Sequence, residues 1–174
     1  MSKVSDARQN FKPNKIKILF IAEAPPKESS NRFFYYLDVK EGDSLFIETM
    51  KVLYRKDFTN TKMVRLQKKM FLEKFKNDGY FLIDSTDNPM EQKSQSYKKR
   101  KIREALPTLK IKIRELIDSE TRILLISKPV YDVCFIPLRS DGFNIINTEM
   151  IDFPGSGGQK NYKTKIEKII PTSI

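Results

Sequence analysis

Histidine is absent from the 174-residue chain, and cysteine occurs once, as Cys134. The first absence excludes Ser-His-Asp and Cys-His nucleophile systems, imidazole metal ligands and imidazole acid–base chemistry. Proton transfer is left to Asp, Glu, Lys, Tyr or water. A single cysteine excludes an intrachain disulfide, a four-cysteine zinc site and a four-cysteine iron–sulfur cluster, and it fits a reducing compartment. No apolar run approaches the ~20 residues of a membrane span. The start Met1-Ser2-Lys3 leads into polar residues without a signal-peptide core, so a cytoplasmic location is expected, or a nuclear one if the source has a nucleus.

What is present points to one folded domain. The length suits a single core, and 12 Phe and 7 Tyr supply material to bury. Lys and Arg number 33 against 22 Asp and Glu, a formal charge of +11. Such a surplus favours nucleic acid or another polyanion through counterion release. A generally basic proteome gives the same balance.

Residues 1–14 are polar and read as a flexible N-terminal arm, with a single domain over 15–174. The run Ile16 to Ala22 is nearly all apolar, as in a strand buried on both faces, and it stops at Pro25-Pro26. Tyr80 to Ile83, Ile123 to Ile126 and a segment starting at Phe143 read as three more strands. Helical spacing runs from Asp43 or Ser44 to Tyr54, from Thr61 to Asn77, from Pro107 to Ser119 and from Tyr162 to Ile170. Val130 to Phe135 reads as a helical turn. Strands alternating with helices predict an α/β fold, a three-layer α/β/α sandwich around a four-stranded parallel sheet. Ligands of such sheets sit beyond the carboxyl ends of the strands.

Those ends carry the candidate residues. Glu23 follows the first strand, with Phe33 and Phe34 ten and eleven residues on. A rigidly held carboxylate can orient water, and an aromatic ring can stack on a base. On spacing alone, a loop-capping Glu23 and packing roles for both rings are favoured. Asp84 and Asn88 follow the second strand; they suit a base edge or an ordinary turn. Lys128 follows the third strand and can meet phosphate or simply be solvated. Gly155, Ser156, Gly157 and Gly158 form a glycine-rich loop whose amides can wrap phosphate, without the lysine-serine pair of a Walker loop. Lys98, Lys99 and Arg100 lie in a basic run that contacts nucleic acid or forms a solvated face.

Together these segments resemble the uracil-DNA glycosylase superfamily. Ile18-Leu19-Phe20-Ile21-Ala22-Glu23-Ala24-Pro25-Pro26 is similar to the Gly-Glu-Ala-Pro-Gly first motif of the thermophile-type branch. Phe33 or Phe34 falls near that branch's base-stacking Phe, Asp84 near a base-reading Asn, and Phe153-Pro154-Gly155-Ser156-Gly157 at the final His-Pro-Ser-Pro type motif. The final motif here lacks His, Asp84 replaces Asn, and the cluster cysteines are missing. The resemblance implies a metal-free and cofactor-free monomer that flips a uracil nucleotide out of DNA. It implies that Phe33 or Phe34 stacks on the base, Asp84 or Asn88 reads it, Glu23 directs water at C1′, and the 155–158 amides grip phosphate. A catalytically silent nucleic-acid-binding module and a small nucleotide enzyme are the alternative expectations.

Overall fold

Ile18–Ala22 forms strand β1, and all five of its residues are buried, as the unbroken apolar run requires. β1 pairs in parallel with β2 (Tyr80–Asp84) on one side and with β3 (Arg122–Leu125) on the other. The register runs from Ile18↔Tyr80 to Ala22↔Asp84, and from Ile18↔Arg122 to Ile21↔Leu125. The computed structural model describes residues 3–155 and 157–170. Around the sheet lie α1 (Lys3–Asn10), α2 (Ser44–Leu53), α3 (Thr61–Leu66), α4 (Lys68–Asn77), α5 (Gln95–Leu116), α6 (Lys128–Ser140) and α7 (Gln159–Ile169). The architecture is therefore α/β, a three-stranded parallel sheet flanked by helices.

The expected fourth strand is reduced to two isolated parallel bridges, Ile123↔Ile145 and Ile126↔Ile151. Between them the Asn147 side chain does the work of a strand. Its Oδ1 accepts from the Leu125 amide at 2.9 Å, and its Nδ2 donates to the Leu125 carbonyl at 3.1 Å. The β2 edge is closed in the same way by Tyr35, whose hydroxyl accepts from the Leu82 amide at 2.8 Å and donates to the Leu82 carbonyl at 3.2 Å. A buried strand edge needs such partners because unpaired amides and carbonyls away from water are costly.

The N-terminal segment read as an arm forms α1, which buries Val4 and Arg8 one turn apart; Phe11 just beyond stacks on Tyr35 with 6.1 Å between ring centres. The helix expected over Thr61 to Asn77 divides at Gln67 into α3 and α4. Helix α5 begins at Gln95, not Pro107: Ser94 caps it by accepting from the Tyr97 amide, and it runs through Pro107 while burying Ile102, Leu109 and Ile113. The helical turn read at Val130 to Phe135 is the middle of α6, which has Pro129 in its first turn, where a missing N–H costs nothing.

A candidate functional site at the carboxyl ends of the strands

Ala22 and Asp84 are register partners, so Glu23 and Asp84 leave the sheet at the same end. After Pro25-Pro26 a short 3-10 turn and a left-handed Asn31 reverse the chain. The hydroxyl of Tyr35 then anchors the returning aromatic segment to β2. This brings Phe33 and Phe34 against the ends of β1 and β2. Glu23, Phe33, Phe34 and Asp84 line one cavity of about 190 Å³. Arg32, Asp43, Phe46 and Phe153, none of them evident as site residues in the sequence, complete its wall.

Three carboxylates face this cavity, and each is held by a cation from another element. Glu23 Oε2 lies 2.7 Å from Lys98 Nζ of α5, with side chains 17% and 21% exposed. Asp84 Oδ2 accepts from Arg8 of α1 at 2.6 Å, and this pair is nearly dry at 4% and 11% exposure. Burial pushes the Asp84 carboxyl up to about 6, against the opposing pull of Arg8 and Lys112. Asp43 Oδ1 accepts from Arg65 Nε and Nη2 at 2.9 and 2.7 Å, and its Oδ2 accepts from Lys68 Nζ at 3.1 Å. Lys68 is 1% exposed and also sits 4.2 Å from the centre of the Phe46 ring. Burial lowers its ammonium to about 8. Asp43 precedes α2 yet makes no capping bond, because these two cations draw its carboxylate away.

The cavity walls are aromatic. Phe34 packs edge-on to Phe46 at 5.5 Å, and Phe33 has the Arg8 guanidinium 5.4 Å from its ring centre on the way to Asp84. Both rings are almost wholly buried, whereas Phe153 is 42% exposed. The glycine-rich segment holds Phe153 in place. A Cβ at Gly158 would collide with the Phe153 carbonyl oxygen, and one at Gly155 would press on the Phe153 ring at 3.1 Å. The Gly158 amide donates to the Gly155 carbonyl at 3.0 Å, which removes it from the expected set of phosphate donors. Gly157 takes a left-handed φ of +94°, and Ser156 lies outside the described residues.

The remaining candidates lie elsewhere. Asn88 is exposed and lines a separate groove of about 500 Å³ with Tyr97 and Lys101, so it does not share the cavity with Asp84. Lys99 and Lys128 both pair with Asp132, and Arg100 sits 3.9 Å from Glu104. The expected basic run is thus largely paired with acids, and only Lys98 reaches the cavity, through Glu23. Beyond β3, Ser127 adopts φ 82°, ψ 150°, and its buried hydroxyl has no partner among the described residues. That backbone region is nearly reserved for glycine and stores about 1–3 kcal/mol.

Among the described residues no cluster of three or more acids or thiols is arranged to hold a metal ion, and no helix is long and apolar enough to cross a membrane. No known protein family, curated protein or solved structure matches the chain.

Proposed function

We propose that the protein is a DNA glycosylase that hydrolyses the N-glycosidic bond of uracil or a related damaged base, with a fold of the uracil-DNA glycosylase kind. The observation that carries this reading is the meeting of Glu23, Phe33, Phe34 and Asp84, from three separate segments, around one cavity. Its volume lies below the roughly 300–1,000 Å³ that drug-sized ligands occupy, and so suits a single flat ring. A base in a duplex is out of reach of such a cavity, so the nucleotide must be flipped into it. Phe33 and Phe34 form the walls, and the exposed Phe153 covers the mouth. Asp84 meets the polar edge of the base.

Glu23, partly exposed and held by Lys98, takes the role of positioning water. The C1′–N1 bond breaks with its electron pair passing to N1, so the base departs as an anion that solvent protonates. The water oxygen bonds to the oxocarbenium-like C1′ and its proton goes to the Glu23 carboxylate, whose charge also stabilises the sugar. Lys98 fixes the orientation of that carboxylate. The +11 charge of the chain favours the DNA backbone, and Lys128 and Lys99, which share Asp132, are among the cations that meet it.

The test is an excess of protein incubated with a labelled oligonucleotide carrying one uracil, followed by alkali, with normal-base and Glu23→Gln controls. Uracil-dependent breakage that the variant loses is the expected result. A second reading, DNA binding without catalysis, draws on the Glu23–Lys98 bond, which occupies an oxygen that water would otherwise use. It predicts bound but uncut oligonucleotide in the same assay.

A further inference from the structure

We infer that Arg32 binds a phosphate of the DNA strand at the rim of the cavity, so that the unit recognised is a nucleotide, ring and phosphate together. The inference rests on the reading of this cavity as a pocket for a flipped base and adds a contact to the strand.

Charge around the cavity is distributed unevenly. The carboxylates of Glu23, Asp84 and Asp43 are held by Lys98, by Arg8, and by Arg65 with Lys68. None of those four cations belongs to the cavity wall. Arg32 is the only Lys or Arg in the wall among the described residues, and it has no ion-pair, hydrogen-bond or ring partner among them. It is also exposed, which puts its guanidinium at the rim. A strand whose base has entered the cavity must carry its backbone past that rim.

The stem of Arg32 is seated in advance. A Cβ at Gly42 would stand 2.6 Å from Arg32 Cδ and 2.7 Å from its Nε, so the side chain lies against the bare α-carbon of a glycine held at φ +77°. Much of the freedom that a long side chain loses on making a contact is thus already lost in folding. The next residue, Phe33, is a buried ring of the same wall, so one dipeptide presents an aromatic face and an unpaired cation. A nucleotide matches that order, with its ring between the aromatic walls and its phosphate outside on the guanidinium. The guanidinium fork donates two parallel N–H bonds to two phosphate oxygens, the charge-assisted arrangement for which arginine is suited. The glycine-rich segment competes poorly for this phosphate, because the Gly158 amide already donates to the Gly155 carbonyl.

Fluorescence anisotropy with labelled single-stranded oligonucleotides tests this. Each strand carries one uracil, and the phosphate on its 5′ or its 3′ side is either natural or an uncharged methylphosphonate. Glu23→Gln protein is used throughout so that no strand is cut. Adding Arg32→Gln should weaken binding of the natural strand about 10-fold, the scale of a hydrogen bond to a charged group. Methylphosphonate at one of the two positions should cost the protein with Arg32 the same factor and cost the protein with Arg32→Gln nothing further. Arg32→Lys, which keeps the charge and loses the fork, should fall between. Affinity that ignores Arg32→Gln, or a variant that still responds in full to methylphosphonate at each position, overturns the inference. Uracil release by protein with Glu23 intact is scored separately. Coupling between Arg32 and a phosphate without release sustains the inference and removes the glycosidase reading; release without coupling does the reverse.

Discussion

Arg8 and Asp84 meet at 2.6 Å across 76 residues of chain, so the N-terminal helix reaches the floor of a cavity built at the end of the sheet. The guanidinium passes over Phe33 on its way, and its Nε finds no partner among the described residues. One side chain of α1 thus touches a wall and the reading group of the proposed site together.

Removing that cation gives a pH-dependent loss. Arg8 from α1, Lys112 from α5 and Asp87 from the following loop are the charged groups acting on Asp84. Asp84 rises in the fold from 3.8 to about 6, so the unfolded chain sheds this proton first and stability falls as pH climbs between those values. Arg8→Gln pushes the carboxyl higher still. The variant should lose about 3–5 kcal/mol at pH 7.5, as broken buried ion pairs do, and clearly less at pH 5, where the carboxyl is protonated in both proteins. Urea titrations at the two pH values measure this; an equal loss at both would sink the assignment.

The Asp43 cluster should respond unequally to its members. Asp43→Ala leaves Arg65 and Lys68 facing each other without a counterion, at a cost of about 3–5 kcal/mol. Lys68→Met keeps the Asp43–Arg65 bonds and fills the space beside Phe46, so it should change stability by less than about 1.5 kcal/mol. Burial lowers Lys68 from 10.5 to about 8, and the unfolded chain therefore holds that proton to higher pH. Stability of wild type relative to Lys68→Met should rise between pH 8 and 10.5. Thermal melts across that window read the difference; a flat difference would show that Asp43 holds the Lys68 ammonium at its ordinary pKa despite burial.

Tyr35→Phe keeps the ring and deletes the hydroxyl that serves both backbone groups of Leu82. Leaving those groups unpaired should cost about 1–3 kcal/mol. Hydrogen exchange at the Leu82 amide should accelerate beyond what the global loss explains. Exchange that follows global stability alone would show that water takes over the hydroxyl's place.

Ser127→Gly relieves a left-handed φ and removes an unpartnered buried hydroxyl. Its melting temperature should rise, with a gain of about 1 kcal/mol after the glycine's greater unfolded-state freedom is deducted. A fall in melting temperature would show that the hydroxyl is needed by its surroundings.

The three strands were legible because each is a short apolar run with nothing to dilute it. Helix α1 was not, because its buried stripe runs Val4, Arg8, Phe11 and the central member is charged. Its partner Asp84 lies far along the chain, and sequence spacing carries no trace of such a pair. The segment from Phe143 fails as a strand for a similar reason: a polar Asn147 in its middle bonds with its side chain where a strand would use backbone. The ion pairs of the basic start of α5 could not be read from the sequence, since the acids that pair with Lys98 and Lys99 come from other elements. In the cavity, Glu23 and Asp84 could be read from strand ends and Phe33 and Phe34 from their offset. Arg32, Asp43 and Phe153 come from loops whose paths are set only by tertiary packing.

Side chains closing both margins of the sheet have a consequence for how the molecule keeps company with itself. A parallel sheet this small would offer two borders to extended chains if nothing covered them, and open borders recruit further strands into aggregates. Here a phenol on one border and an amide on the other occupy hydrogen-bonding positions that an incoming peptide would need. Those two groups leave neither border with a free run of backbone donors and acceptors on which a second copy could add a strand.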